Sequence, residues 1–170
     1  MKIVIINGVA EAGKNTFVHI AKKKYKDKYM IFDISSVGGA KEIMQDFFGW
    51  NETKSDNDRK CLSNLKDLMI WYDDIPFKDI IRDVGDFKKF GCDLLFIYIR
   101  EPEEIQKVVD YYKHRCTTLL IQKEQEAVPD NRADQNVEDY EYDYIIENNG
   151  TIEDLTISVE LFIEDIIGNE

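Results

Sequence analysis

The residues with most chemistry in their types and spacing lie early in the chain, in GVAEAGKNT, from Gly8 to Thr16. Gly8 is followed by four residues and then by Gly13 and Lys14. A loop of this pattern turns its backbone N–H groups inward, and a helix starting at its end aims a positive dipole at the same point. The ligand for such a cradle is a phosphate. The lysine adds a mobile charge for the outer phosphates, and a hydroxyl directly after it normally holds magnesium. Here Asn15 takes that place and the hydroxyl arrives one residue late, at Thr16. The Asn15 carbonyl can reach a metal-bound water, and Thr16 can bond an inner phosphate. Glu11 and Ala12 complete the loop, and the Glu11 carboxylate is harmless to a polyphosphate only if it points to solvent. The competing reading is a structural glycine turn beside a surface lysine.

A phosphate loop works only between a buried strand and a helix, and the flanking residues supply both. Residues 2–7 are a short apolar run rich in isoleucine and valine, which suits a central parallel strand covered on both faces. Residues 14–27 read as a helix with Phe17, Val18, Ile20 and Ala21 on one stripe and lysines at its C-terminal end. Further strands are expected at 29–34, 93–99, 117–122 and 142–148. Helices are expected at 40–48, 58–72, 76–90 and 101–115, with a last one following the Thr151 cap. Asp56 or Asn57 is the expected cap of the 58–72 helix, whose stripe is Cys61, Leu62, Leu65, Leu68, Met69 and Tyr72. Residues 123–139 are polar and lack periodicity, which marks a long loop or cover.

Strands alternating with helices imply an α/β protein, with a five-stranded parallel sheet between two helical layers. In such sheets ligands bind at the carboxyl ends of the strands, where the candidate loop lies. The whole chain, 1–170, is expected to form one domain.

Composition narrows the partners. The net charge of −12 repels nucleic-acid backbones, so a DNA or RNA polymer is a poor partner, while a few local donors still suffice for a small phosphorylated ligand. Cys61, Cys92 and Cys116 are too far apart for a metal or redox motif, and Cys61 and Cys116 stand among apolar neighbours at plausible core positions. His19 and His114 are isolated, so no protein-ligated metal site is expected. The apolar start MKIVII breaks at Asn7-Gly8, and no run approaches a membrane span. A cytoplasmic protein, monomer or homodimer, without a leader or a membrane partner is the expectation.

The spacing GxxxxGK-x-T is similar to that of the nucleoside monophosphate kinases. Within them it looks most like the phage-type deoxynucleoside monophosphate kinases and their bacterial relatives, a group that also resembles animal phosphomevalonate kinase. Loops of that group commonly read GKDT, where this chain has GKNT. The resemblance continues through ISSVGGAKEI, DRKCLSNLKDL, FIYIREPEEI and YDYIIENNGTIEDL, and so covers nearly the whole chain in order.

The resemblance implies a three-layer P-loop NTPase fold of the nucleotide-kinase kind, with a helical acceptor-binding insert at about 37–90 and a lid-like loop at about 123–139. It implies ATP and Mg²⁺ as cofactors and transfer of the γ-phosphoryl to a small phosphorylated acceptor. Lys14 would bridge the transferred phosphate and Thr16 the α-phosphate. Arg100 would take the acceptor phosphate, with Lys41 and Arg59 in the insert as further acceptor ligands. Arg132, and with less support Lys123, would belong to the lid. Asp33, expected at the end of the second strand, orients a magnesium water or the acceptor, or else caps a helix. Asp73-Asp74 ends a helix. Many relatives keep an aspartate two residues before the arginine, and here that residue is Tyr98. With Asn15 this leaves the metal short of two usual groups, for which Asp33, Glu101 or water must substitute.

Overall fold

The computed structural model describes residues 1–53, 55–124 and 136–168. Five strands and six α-helices are found among them, with three helices in succession between the second and third strands. In chain order they are β1 (Lys2–Asn7), α1 (Lys14–Tyr25), β2 (Ile31–Ser35), α2 (Gly38–Phe48), α3 (Asp56–Asp73), α4 (Ile75–Phe90), β3 (Leu94–Tyr98), α5 (Pro102–Tyr112), β4 (Cys116–Gln122), β5 (Tyr144–Glu147) and α6 (Ile152–Gly168). The sheet order is β2-β3-β1-β4-β5 and every pairing is parallel. β1 is therefore central, which explains why its run is apolar without alternation: both faces are covered.

Alternate residues of each strand feed two separate cores. Val4, Ile6, Leu94, Phe96, Leu119 and Ile121 pack against Phe17, Val18 and Ala21 of α1 and against Leu155, Val159 and Phe162 of α6. Ile3, Ile5, Leu95 and Ile97 face the other way, onto Ile80 and Val84 of α4 and Ile105 and Val108 of α5. Two helical layers thus sandwich one sheet. No described helix is long and apolar enough to cross a membrane.

Three expectations need correction. α3 is capped by Ser55, not by Asp56 or Asn57. Its hydroxyl accepts from the Asp58 N–H at 3.2 Å, and the Asp58 carboxylate accepts from the Ser55 N–H at 3.0 Å. This reciprocal box satisfies two donors that the first turn would otherwise leave open. Second, the apolar stripe of α3 does not enter either core: α3 packs mainly on α2 and α4, and none of its residues belongs to the two core clusters. Leu68 and Tyr72 are exposed, and the one buried α3 residue is Lys66. Third, Cys61 is half-buried outside both cores, whereas Cys116 packs against the second core as expected and Cys92 is buried in it. The stretch between β2 and β3 also divides in function: α4 covers the sheet, and α2 and α3 stand outside it.

Candidate functional site: the phosphate loop and its surroundings

β1 ends at Asn7 and the chain turns through Gly8 to Gly13 into α1. Both glycines have backbone angles that other residues rarely adopt, with φ of 146° and 105°. Neither has room for a side chain. A Cβ at Gly8 would collide with the Ile121 carbonyl, and one at Gly13 with the Asn148 amide. Glu11 takes the left-handed region without being glycine, at φ 62°, a local cost of roughly 1–2 kcal/mol. Its side chain is exposed, so its carboxylate stands in solvent. Ala12 is buried under the loop and donates its N–H to the Val9 carbonyl at 3.3 Å.

No side chain caps α1, so its first-turn N–H groups, including those of Asn15 and Thr16, stay available to an anion. Both of these side chains are exposed at the loop rim. The Lys14 ammonium lies back on its own loop, donating to the Gly8 carbonyl and to the Val9 carbonyl, the latter at 2.6 Å. A glycine turn without room for side chains, an α1 N-terminus with no side-chain cap and a lysine lying over the loop are the features that suit a phosphate.

Arg100 follows the end of β3, next to β1 in the sheet, and is half-buried. The structure thus brings Lys14 and Arg100 to the same edge. Asp33 is not the last residue of β2, which continues to Ser35, and its carboxylate is ion-paired with Lys22 of α1. Tyr98 lies on the same face, one strand away, two positions beyond the Asp33 register partner Phe96. Burial, and then the Asp33 charge, push its phenol far above the usual range, so it stays neutral. Glu101, the other carboxylate expected to substitute at the metal, is ion-paired with Lys66. Among the described residues no group of three or more His, Cys, Asp or Glu is placed to hold a metal ion. Lys41 in α2 and Arg59 in α3 are exposed. Lys123 is exposed as well, and Arg132 lies outside the described residues.

Three contributors escaped the sequence reading. Asn7 is fully buried, with its side chain bonded to Gly8, Arg100 and Tyr142. Asn148, after β5, donates to the Ala12 carbonyl at 2.8 Å and holds the loop from its other end. Lys66 is 3% exposed and joins Glu101 and Glu104, tying α3 to the segment that follows Arg100. Burial pushes the Glu104 carboxyl up and the Lys66 ammonium opposes it. Only the Asn148 spacing after a strand offered a clue; asparagines and lysines otherwise read as surface residues.

A cleft of about 480 Å³ opens beside Tyr142, lined by Gln106, Asp139, Tyr140, Glu141, Tyr142 and Asp143. It carries three carboxylates and no cation, so it does not suit a phosphate.

No family model matches the chain, and no curated protein matches it by sequence. Solved structures do share its architecture. Thymidylate kinase from Ehrlichia chaffeensis aligns with a TM-score of 0.55 at 8% identity, over 96% of this chain and 98% of that one. Thymidylate kinase from Candida albicans gives 0.53 at 13% identity, over 99% and 93% of the two chains. An uncharacterised protein from Eubacterium ventriosum gives 0.51 at 14% identity, with 100% of each chain covered. At such identities the likeness establishes the fold, which is that of the P-loop kinases.

Proposed function

We propose that this chain transfers the γ-phosphoryl group of ATP to a small phosphorylated acceptor, a nucleoside or deoxynucleoside monophosphate. The observation that carries the reading is the placement of Lys14 in a loop too tight for any Cβ at Gly8 or Gly13, with Arg100 at the end of the adjacent strand. The thymidylate kinases that share the fold lend it support. Phage-type deoxynucleoside monophosphate kinases remain the nearest functional analogue by motif.

The chain's own groups would act by position and charge. The loop amides and the α1 N-terminus hold the donor phosphates. Lys14 leaves two neutral carbonyls for an anion, a stronger partner for an ammonium. Thr16 and Asn15 stand at the rim for the inner phosphate and for metal-bound water. Magnesium enters with ATP as part of the substrate. Arg100 offers a planar fork to the acceptor phosphate. Lys41 on α2 and Arg59 on α3 are the candidate acceptor contacts, and Arg132 the candidate lid contact.

A second reading, a nucleotide-binding module with weak or no turnover, draws on one observation. The two carboxylates that would compensate for Asn15 and Tyr98 are engaged elsewhere, Asp33 with Lys22 and Glu101 with Lys66. Diphosphate formation from ATP, Mg²⁺ and a panel of ribo- and deoxynucleoside monophosphates separates the two, with Lys14→Ala as control. Turnover lost in the variant supports the kinase. ATP binding without any product supports the module or a kinase for another phosphorylated metabolite.

A further inference from the structure

The Asn7 side chain is the most connected buried polar group near the loop, and phosphate binding alone gives it no task. It is 0% exposed. Its Oδ1 accepts from the Gly8 N–H at 2.8 Å, at the first residue of the phosphate loop. Its Nδ2 donates to the Arg100 carbonyl at 3.0 Å and to the Tyr142 hydroxyl at 2.7 Å. That hydroxyl donates in turn to the Val137 carbonyl at 2.8 Å. One amide therefore joins segments far apart in the chain, and its oxygen and both of its protons are used. The two functional edges it touches are different ones: the donor loop through Gly8 and the strand-end arginine through its own backbone.

From this we infer that Asn7 is a positioning residue that fixes the donor loop against Arg100, so that the two phosphates of a phosphoryl transfer meet at reacting distance. The inference rests on the kinase reading given above. The bonds are directional and the amide is buried on a central strand, so neither edge shifts without breaking a bond that water cannot replace. Transfer rate is far more sensitive to such a shift than binding of either substrate alone, because misplacement of about 1 Å can cost roughly a hundredfold in rate. Tyr142 completes the device by holding the Nδ2 group in the orientation that serves Arg100. A side chain that merely filled space at this point would need no donor, and leucine or valine would suit the strand better.

The selective variant is Asn7→Asp, whose carboxylate still accepts from Gly8 but has no proton for Arg100. Tyr142→Phe is the milder companion, keeping the ring and Asn7 itself. ADP affinity by titration calorimetry, thermal midpoint, and kcat with the acceptor found in the monophosphate panel are measured for each. The expected result is a kcat loss in Asn7→Asp that exceeds its loss of ADP affinity by about tenfold or more. Tyr142→Phe is expected to move in the same direction by a smaller factor, and it decides alone if Asn7→Asp does not fold. Parallel losses of kcat and ADP affinity, or no loss in either, would overturn the inference and leave the kinase reading intact. A wild-type chain that binds ADP and turns over no monophosphate would sink both.

Discussion

Asn148, just past β5, donates its side-chain amide to the carbonyl of Ala12 at 2.8 Å, and the same amide fills the space beside Gly13. The phosphate loop is thereby held from the outer half of the sheet as well as by its own strand. The Asn148 backbone N–H donates to Gln122 at the end of β4, which fixes the amide's position.

Asn148→Ala should loosen the second half of the loop. Loss of one such bond is worth about 1 kcal/mol, or roughly fivefold in affinity. Calorimetric titration with ADP and with inorganic tripolyphosphate should show similar weakening for both. Weakening confined to ADP would mean that Asn148 serves the base and not the loop.

Gly8→Ala should be among the most damaging small changes in the chain. The added Cβ meets the Ile121 backbone carbonyl, and the φ of 146° is strained for alanine besides. A loss of about 2 kcal/mol or more is expected in denaturant unfolding. Gly85→Ala is the control, because nothing lies within 4 Å of a Cβ there and the residue is inside α4. It should raise stability by about 0.5–1 kcal/mol. Equal effects at the two glycines would contradict the close approach at Gly8.

Lys66→Met should cost about 3 kcal/mol, since it leaves the Glu104 carboxylate beside Glu101 without its ion-pair partner and with only the more distant Lys107 charge. Lys66→Met combined with Glu104→Gln should recover a good part of that loss. A double-mutant cycle by urea unfolding measures the coupling. Strictly additive losses would show that the ion pair is incidental.

Alkali should unfold the chain in a steep step. Burial pushes the Tyr112 and Tyr142 phenols up to about 12 and the Cys116 thiol to about 12, each from an ordinary value of 10.0 or 9.0. In every case the folded state holds its proton longer than the unfolded state. Stability from these groups is present in full below the unfolded values and is lost as pH rises from about 9 through 12. The tyrosinate absorbance of Tyr142, read as the difference between wild type and Tyr142→Phe, should therefore appear together with the loss of ellipticity. Its appearance before any loss of ellipticity would show that this phenol is not protected.

Most of the architecture is legible in the residues. β1, α1 and their loop follow from an apolar run, two spaced glycines and a lysine, because the strand–loop–helix unit is local and each residue type has a backbone reason to be there. Strand and helix ends departed by a few residues: β2 starts at Ile31, after Tyr29 and Met30, and α5 ends at Tyr112, three residues before Arg115. The outer helices were less legible. α3 shows a regular apolar stripe but leaves Leu68 and Tyr72 exposed, since periodicity reports an amphipathic helix without reporting what it faces.

The sequence by itself determined the fold class and the strand–loop–helix unit that carries Gly8, Gly13 and Lys14, and it put Arg100 at the end of a neighbouring strand. These depend on short-range pattern and on the rule that parallel strands end on a common edge. Tertiary structure alone decided the commitments of the polar side chains: Asp33 to Lys22, Glu101 and Glu104 to Lys66, Asn7 to Gly8, Arg100 and Tyr142, and Asn148 to Ala12. A carboxylate or an amide has the same formula in solvent and in a core. Its partner is chosen by sheet order and strand register, which bring residues 93 or 135 positions apart within hydrogen-bond reach and leave no mark on the local sequence.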